Sequence, residues 1–560
     1  VNRHLPTLAT VQHDPTVGAV AANRDSLLDG IETAVDRGAQ LVVTPELALL
    51  GYPPRDLLHR EGTLAAEQAA LDDLRTVTDG TGVTLVVGHT APSTDSEGPP
   101  LVNAASVFRD GDRVTRYRKR LLPTYDVFDE HRYFDPGDEP ATVAVGDSEI
   151  GLTICEDGWY DHEVTGQRRH EANPIADYEG VDLLVNISAS PFHVGKPAER
   201  ETRFAGHARD TDAPVVFANQ FGGNDDLLFD GASFVVDDTG ETLTRAPFGE
   251  TGVAITDWND TPTPDGPPNE TAQLRQMLGV GIRDYVSKTG FDRVIVGLSG
   301  GIDSSVTAAL AAEALGPERV HGVMLPSRIT AESSRVDAAG VADGLGIRFG
   351  EAGIESVVSA FESTVEELSD REELAGITRE NLQARARGTV LMGLANDERA
   401  LVLTPDNKSE AAVGYCTLYG DAVGAIGPLG DCTKRRVYEL ARSFNADPPA
   451  GATDTPIPTR VIEKAPTAEL AEDQSDEDEI PPYDVIDTVV ERYVGDKESI
   501  AEIVAATDAT REQVETVVRR LTRSEFKREQ TPPALRVTHK AFDSGWRYPI
   551  AADYDALFEQ

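Results

Sequence analysis

The sequence predicts two α/β domains in series: a layered N-terminal domain, then a C-terminal domain built on a doubly wound parallel sheet. Three observations lead there. The chain has 560 residues, more than one ordinary hydrophobic core accommodates. Short apolar runs rich in β-branched residues alternate with stretches of helical spacing in both halves. Between the halves lies NDTPTPDGPPNET, Asn259 to Thr271, a proline-rich polar segment without periodicity that reads as a linker. The expected domains are therefore residues 1–258 and 272–560, joined by 259–271.

In the first half, LATVQ, AQLVVTPE, VTLVVGH, IGLTICED, VDLLVNISAS and APVVFANQ read as strands bounded by turn formers, with helical spacing over residues 20–38 and 63–78. Polar residues cluster just after the strands, where loops present chemistry. In the second half a helix over 272–289 precedes the strand DRVIVGLS, a glycine turn and an alanine-rich helix over 304–315. HGVMLPS and RALVLTP supply further strands. The stretch Thr467 to Tyr483, TAELAEDQSDEDEIPPY, reads as an acidic mobile loop, and FKREQTPPALRVTHK as a local concentration of positive charge.

Composition narrows the function. Ninety-six acidic residues face 51 basic ones, a net charge of −45, and only nine of the basic residues are lysine. A uniformly anionic surface repels nucleic acid and acidic membranes, so neither is expected as a partner. The acids run through the whole chain, which reads as a surface suited to high salt rather than as a binding tail. Apolar runs stay short of the roughly 18 residues of a membrane span, and the first residues read as a strand, so a cytoplasmic protein is expected. Three cysteines, Cys155, Cys416 and Cys432, form no disulfide framework and no CxxC pair.

Glu46 ends one strand-like run, Lys119 sits in YRKRLLPTYDVFDE, and Cys155 ends IGLTICED. A thiol attacks a carbonyl only when a base or a nearby cation helps it ionise. A glutamate supplies the base, and a lysine with a backbone N–H stabilises the tetrahedral anion. A lone cysteine ending a strand also fits a buried small hydrophobe. The words TPELALLGYPPRDLL, KRLLPTYDVFDEHRYF, GLTICEDGW and NISASPFHVGK, in that order, resemble the glutaminase branch of the nitrilase superfamily across residues 1–255. The resemblance implies an α-β-β-α layered fold. It also implies Glu46 as general base, Lys119 as stabilising cation, Cys155 as nucleophile and Glu130 as a second, orienting glutamate. Tyr125, Ser190 and Lys196 match positions that hold glutamine, with Lys196 standing where some relatives carry arginine.

GLSGGIDSS, Gly297 to Ser305, lies at a strand-to-helix junction. Backbone N–H groups of such a turn and the helix N-terminus together cradle an anion. The lysine of a Walker A loop is missing, and a short SGG by itself fits a plain turn. SGGIDSS between strand and helix resembles the PP-loop pyrophosphatases, which implies ATP held by Gly297, Leu298, Ser299, Gly300, Gly301, Ile302, Asp303, Ser304 and Ser305. ENLQARARGTVLMGLAN, DNKSEAAVGYCTLYGD, KAPTAELAEDQSDEDEIPPYDV and SEFKREQTPPALRVTHKAF resemble NAD synthetases, so the whole chain resembles the glutamine-dependent members of that family. This implies Asn381, Arg385, Glu410, Asp421, Lys434 and Lys527 at deamido-NAD+ (nicotinic acid adenine dinucleotide). It implies Pro405 and Thr467 at ATP, and Mg2+ held by Asp303 and Glu410. Relatives usually read TTGNKSE where this chain has TPDNKSE, so Pro405 replaces a threonine hydroxyl that contacts ATP. Taken singly, each charged residue fits a surface ion pair.

The implied reaction amidates deamido-NAD+ at the expense of ATP, with ammonia from L-glutamine, in a homo-oligomer. Two rivals are a PP-loop ligase acting on a purine nucleotide and a non-catalytic nucleotide-binding descendant; a third is a synthetase fed by free ammonia beside an idle amidase half. The charge gives a prediction of its own. Self-repulsion should destabilise the fold at low ionic strength, so the melting temperature should rise by roughly 5 °C or more between about 0.1 M and about 1 M KCl. A melting temperature insensitive to KCl would overturn that reading of the surface.

Overall fold

In the computed structural model, which describes residues 5–94, 98–161, 163–164, 167–258, 264–371, 373–467, 476, 479–543 and 545–558, the chain divides into two units, Val1–Asn269 and Glu270–Gln560. Residues 259–263 of the expected linker and most of 467–483 lie outside the described residues.

The first unit stacks two six-stranded sheets. One runs Gly252–Thr256, Leu8–Gln12, Leu41–Val43, Thr84–Pro92, Leu101–Arg109, Asp112–Arg118 in spatial order. The other runs Thr242–Arg245, Phe234–Val236, Val215–Asn219, Leu183–Ser188, Ser148–Ile154, Thr142–Val145. Inward side chains of both sheets meet in one core, Leu41, Val43 and Val86 from the first with Leu152, Val185 and Val216 from the second. Helices Val20–Asp36 and Glu61–Thr76 cover the first sheet through Leu27, Ile31, Leu71 and Leu74. Helix Lys196–Thr211 covers the second through Phe204 and Ala208. The layers are therefore α-β-β-α. Central strands are buried on both faces, which is why they read as continuous apolar runs.

The layering sets the working residues at strand ends. Glu46 follows Leu41–Val43 in a turn clipped to the next strand by Thr44 N–H to the Val86 carbonyl (3.0 Å) and Ala48 N–H to the Gly88 carbonyl (2.9 Å). Lys119 follows Asp112–Arg118, and its N–H donates to the Asn103 carbonyl at 2.8 Å. Cys155 follows Ser148–Ile154. Ala189 and Ser190 follow Leu183–Ser188.

The second unit carries a four-stranded parallel sheet ordered Arg348–Glu351, Val320–Met324, Val294–Gly297, Leu401–Leu403. Its first strand in sequence lies between the second and the last, so the strand order reverses beside Gly297. That switch point opens a crevice at the carboxyl ends of the strands. Helix Ile302–Leu315 begins there, two residues earlier than the alanine-rich pattern suggests. Helix Glu270–Lys288 begins inside the stretch read as linker. Helices Tyr483–Val490, Ile500–Ala506 and Arg511–Arg523 pack a second core around Ile486, Ile503, Val517 and Leu521.

One close approach limits the placement of Glu46. A Cβ on Gly88 would meet the Pro45 carbonyl oxygen and would lie 2.7 Å from the Glu46 Cα and 2.8 Å from the Leu47 N. Only a residue without a side chain lets the strand run this near the turn. Gly88→Ala should cost about 1–3 kcal/mol of stability and remove activity that depends on Glu46 in the fraction that folds. Denaturant melts paired with an ammonia-release assay check it; a variant normal in both would refute the steric argument.

Candidate active sites

Lys119 is the hub of the first unit. Its Nζ donates to Glu46 Oε1 at 2.7 Å and Glu130 Oε1 at 2.8 Å, and all three side chains are almost wholly buried. Burial opposes the lysine's charge, but Glu130 and Glu46 outweigh it and hold the ammonium form well above the ordinary range. Burial likewise pushes the Glu130 carboxyl up to about 7 against the pull of Lys119. Asn103 Nδ2 donates to Glu46 Oε1 (2.7 Å), the Ala189 N–H to Glu46 Oε2 (2.9 Å), and Tyr52 Oη to Glu130 Oε1 (2.8 Å). Three donors thus fix the Glu46 carboxylate.

Cys155 is buried, and its φ of 44° lies in the left-handed region that a side chain rarely adopts. It opens a short 3-10 turn, Cys155–Trp159, at the end of its strand. Asp157 ties that turn to the Lys119 segment: its carboxylate accepts from Ile154 N–H (2.9 Å), Tyr117 Oη (2.8 Å), Arg120 N–H (3.1 Å) and Leu121 N–H (2.9 Å). Burial first, then Glu46, drives the Cys155 thiol well above its usual range, with Lys119 pulling the other way. The resting group is a thiol beside a carboxylate acceptor, the arrangement for proton transfer concerted with attack.

Tyr125 Oη donates to Glu156 Oε2 at 2.9 Å, directly beyond the cysteine, and His170 Nε2 lies 2.9 Å from Glu156 Oε1. The Ser190 N–H donates to Asn219 Oδ1 at 2.9 Å. Lys196 is more committed than its sequence match implies. Its Nζ lies 3.2 Å from Glu199 Oε2 and 3.6 Å from the centre of the Trp159 ring, and burial lowers it to about 8.

In the second unit an open cleft of about 260 Å³ lies at the switch point. All the residues matched to ATP except Gly300 and Ser305 line it, with Glu410, Asp421 and Lys434. Gly300 instead presses on its neighbour: φ is 78°, and a Cβ there would lie 3.0 Å from the Ser334 Cα. Ser299 Oγ accepts from the Gly301 N–H at 3.2 Å, while Ser304 and Ser305 donate to the Gly301 carbonyl at 3.1 and 2.7 Å. The first-turn N–H groups of the following helix are left for an anion.

Lys434 Nζ donates to Asp303 Oδ2 at 2.7 Å and Glu410 Oε1 at 3.0 Å; Asn407 Nδ2 reaches Asp303 Oδ1 at 2.8 Å. Burial brings Glu410 up to about 7 despite Lys434. Asn381, Arg385 and Lys527 do not line this cleft. They brace the loop that carries Asp421: Asn381 Oδ1 accepts from Thr417 Oγ1 (2.8 Å), Arg385 Nε donates to the Leu418 carbonyl (3.2 Å), and Lys527 Nζ donates to the carbonyls of Gly414 and Cys416 (both 2.7 Å). Lys408, scarce and so conspicuous in the sequence, is structural: its Nζ pairs with Asp431 (2.7 Å), Thr538 and the Lys540 carbonyl.

Sequence reasoning missed Asn103, Tyr52, Asp157 and Asp406. Asn103 lies on a strand it did not assign. Tyr52 and Asp157 sit inside quoted motifs, so proximity to Glu46 and Cys155 was the available signal. Asp406 follows Pro405 and lines the cleft. Burial first, then Asp421, Glu410 and Asp303, raise its carboxyl well above the usual range.

Residues 7–261 match the carbon-nitrogen hydrolase family and residues 274–531 the NAD synthase family. A glutamine-dependent NAD(+) synthetase of Synechocystis is 40% identical over 557 residues, 97% of this chain and 98% of that protein. One of Thermotoga maritima is 37% identical over 96% of this chain and 97% of its own. The structure of glutamine-dependent NAD+ synthetase from Acinetobacter baumannii in complex with ADP superposes with a TM-score of 0.75 at 36% identity, covering 97% of this chain and 98% of that one.

Asn103→Ala removes one of the three donors on Glu46. Losing such a charge-assisted bond should slow amide hydrolysis at Cys155 about 10- to 100-fold with the fold intact, measured as ammonia release beside a circular-dichroism melt. An unchanged rate would show that Lys119 and Ala189 suffice.

Proposed function

The chain belongs to the family of glutamine-dependent NAD(+) synthetases, and from that premise we propose which of its residues carry each step. The enzyme amidates deamido-NAD+ to NAD+, consuming ATP and releasing AMP and pyrophosphate, with ammonia drawn from L-glutamine in its glutaminase domain. The observation that carries the assignment of roles is the buried Lys119 bridging Glu46 and Glu130 beside Cys155.

In the glutaminase unit Glu46 accepts the Cys155 proton as sulfur attacks the carboxamide carbon. The anion that forms is stabilised by Lys119 and a backbone N–H following Cys155. On collapse the amide nitrogen takes that proton from Glu46 and leaves as ammonia, and a thioester remains. Glu46 then draws a proton from water to hydrolyse it. Glu130 holds Lys119 in place, supported by the Lys119–Glu130 contact and the Tyr52 hydroxyl. Tyr125 and Ser190 border the amide donor.

In the synthetase unit the Gly297–Ser305 turn and its helix hold the ATP phosphates, with Pro405 and Thr467 beside the nucleotide. The nicotinate carboxylate attacks the α-phosphate, pyrophosphate leaves, and ammonia opens the mixed anhydride to amide and AMP. Asp303 and Glu410 suit Mg2+: two hard carboxylates converge on one cation, Lys434 Nζ, within 2.7–3.0 Å. Among the described residues no cage of three or more ligating side chains forms, the pattern expected of an ion that also takes phosphate oxygens and water. When bound, Mg2+ neutralises charge on the phosphates during displacement. Asp421 lies toward the nicotinate, and Asn381, Arg385 and Lys527 act through the loop that presents it. The units 1–258 and 272–560 each hold one half-reaction, and the enzyme assembles as a homo-oligomer. The free thiols Cys155, Cys416 and Cys432 suit a reducing cytoplasm.

The test is NAD+ formation from deamido-NAD+, ATP and Mg2+ in high salt, with glutamine or ammonium as nitrogen source. Cys155→Ala should abolish glutamine use, a fall of at least about 10⁴-fold, and keep ammonium use. If the variant still uses glutamine, Cys155 is not the nucleophile.

A further inference from the structure

One cation beside the nucleophile has no assigned work. Arg169 lies with its Cζ 3.6 Å above the centre of the Tyr125 ring. Its Nε is buried without a hydrogen-bond partner, and among the described residues no carboxylate pairs with it. Several partly buried arginines of this unit are matched to acids, Arg200 to Asp230, Arg203 to Asp161, Arg245 to Glu201 and Arg120 to Asp177. Arg109 and Arg116 give their Nε–H to the hydroxyls of Thr84 and Ser106; the Arg169 Nε has neither. In a chain with 96 acidic residues against 51 basic ones, a partly buried guanidinium with no carboxylate among the described residues is open to an anion from outside the chain. The Tyr125 ring takes up one face of the guanidinium by cation–π contact, and the fork at its edge remains for a planar oxyanion.

The neighbours limit what that anion is. Tyr125 passes its hydroxyl to Glu156, the residue after Cys155, so Arg169 stands one side chain away from the reacting thiol's own turn. The Glu156 carboxylate, between Tyr125 and His170, offers the opposite charge next to it. Cation and anion side by side match an amino acid's α-carboxylate and α-ammonium. The alternative cation, Lys196, is already shared between Glu199 and the Trp159 ring, and Arg203 also lies over that ring at 4.4 Å. We propose that Arg169 binds the α-carboxylate of the amide donor and sets the preference for glutamine over amides that lack that group. The inference rests on the glutaminase reading of Cys155.

The test compares glutamine with 4-aminobutanamide, glutamine without its carboxylate, as substrates for ammonia release by the full-length enzyme and its Arg169→Gln and Arg169→Lys variants. Thermal melts serve as the folding control. Arg169→Gln should raise the KM for glutamine about 10- to 100-fold, with little change in kcat. The kcat/KM for 4-aminobutanamide should be unchanged, so the ratio between substrates collapses; Arg169→Lys should restore part of it. Parallel losses on both amides would mean that Arg169 only supports the fold, and an unchanged ratio would place the carboxylate elsewhere. Either result overturns the inference while wild-type glutamine hydrolysis keeps the glutaminase reading standing. Wild type releasing no ammonia from glutamine would remove that reading and the inference together.

Discussion

A lysine ammonium with almost no access to water must be neutralised where it stands, and in the first unit much of the architecture serves that one requirement. Isolated, a buried charge costs several kcal/mol even after relaxation. Lys119 meets two carboxylates, which bring two negative charges to one positive and so need donors of their own. Asn103, the Ala189 N–H and the Tyr52 hydroxyl supply them from three separate segments. The cluster is therefore complete only when both sheets are stacked and the Glu46 turn is pressed against the strand bearing Gly88. Catalytic geometry and tertiary packing are one constraint here. The same burial keeps Cys155 as a thiol, so reactivity comes from an adjacent base instead of from a standing thiolate, and the sulfur stays less exposed to oxidation.

The second unit repeats the device with different residues. Lys434, itself buried, joins Asp303 at the helix start to Glu410, again one lysine to two carboxylates. An excess of negative charge remains around the cleft through Asp406 and Asp421. A site that must receive polyphosphate holds its acids close to a cation and, in part, protonated, which lessens the repulsion an incoming anion meets. Lys408 marks the boundary of the pattern. It is just as buried, but it faces a single acid, one hydroxyl and one backbone carbonyl, so the pair is balanced.

Much of this was legible in the sequence, for identifiable reasons. Buried parallel strands such as Leu41–Val43 and Val294–Gly297 carry no polar side chain and announce themselves. Glu46 and Cys155 stand just past such runs, so reading the runs located them, whereas Lys119 follows a polar strand and was located by the word KRLLPTYDVFDE. The antiparallel pair Leu101–Arg109 and Asp112–Arg118 was not legible: the first is almost wholly buried but carries Asn103 and Ser106 inside, and the second is mostly polar and half exposed. With the strand went Asn103. The helix starts at Glu61, Glu270 and Ile302 were read two residues late, and at Gly301 no capping side chain marks the start. Lys196 showed its alignment in the sequence but not its attachment to Glu199 and Trp159, because pairing is a property of rotamers and neighbours. Arg169 is the converse case, conspicuous only once the described residues around it are seen to offer its Nε no partner.

The net charge of −45 and the two buried lysine clusters answer to different physics. Surface acids interact across solvent, where mobile ions screen them within about 10 Å at 0.1 M and about 3 Å at 1 M. Lys119 and Lys434 are in direct contact with their partners, with no solvent between them, and screening reaches such pairs far less. Salt should therefore act on the free energy of holding the acidic shell together and leave the geometry at Glu46 or Asp303 nearly untouched. A chain built this way can change its surface charge over a wide range while its chemistry stays fixed, because the charges that do the chemistry are bound in the interior to two of only nine lysines.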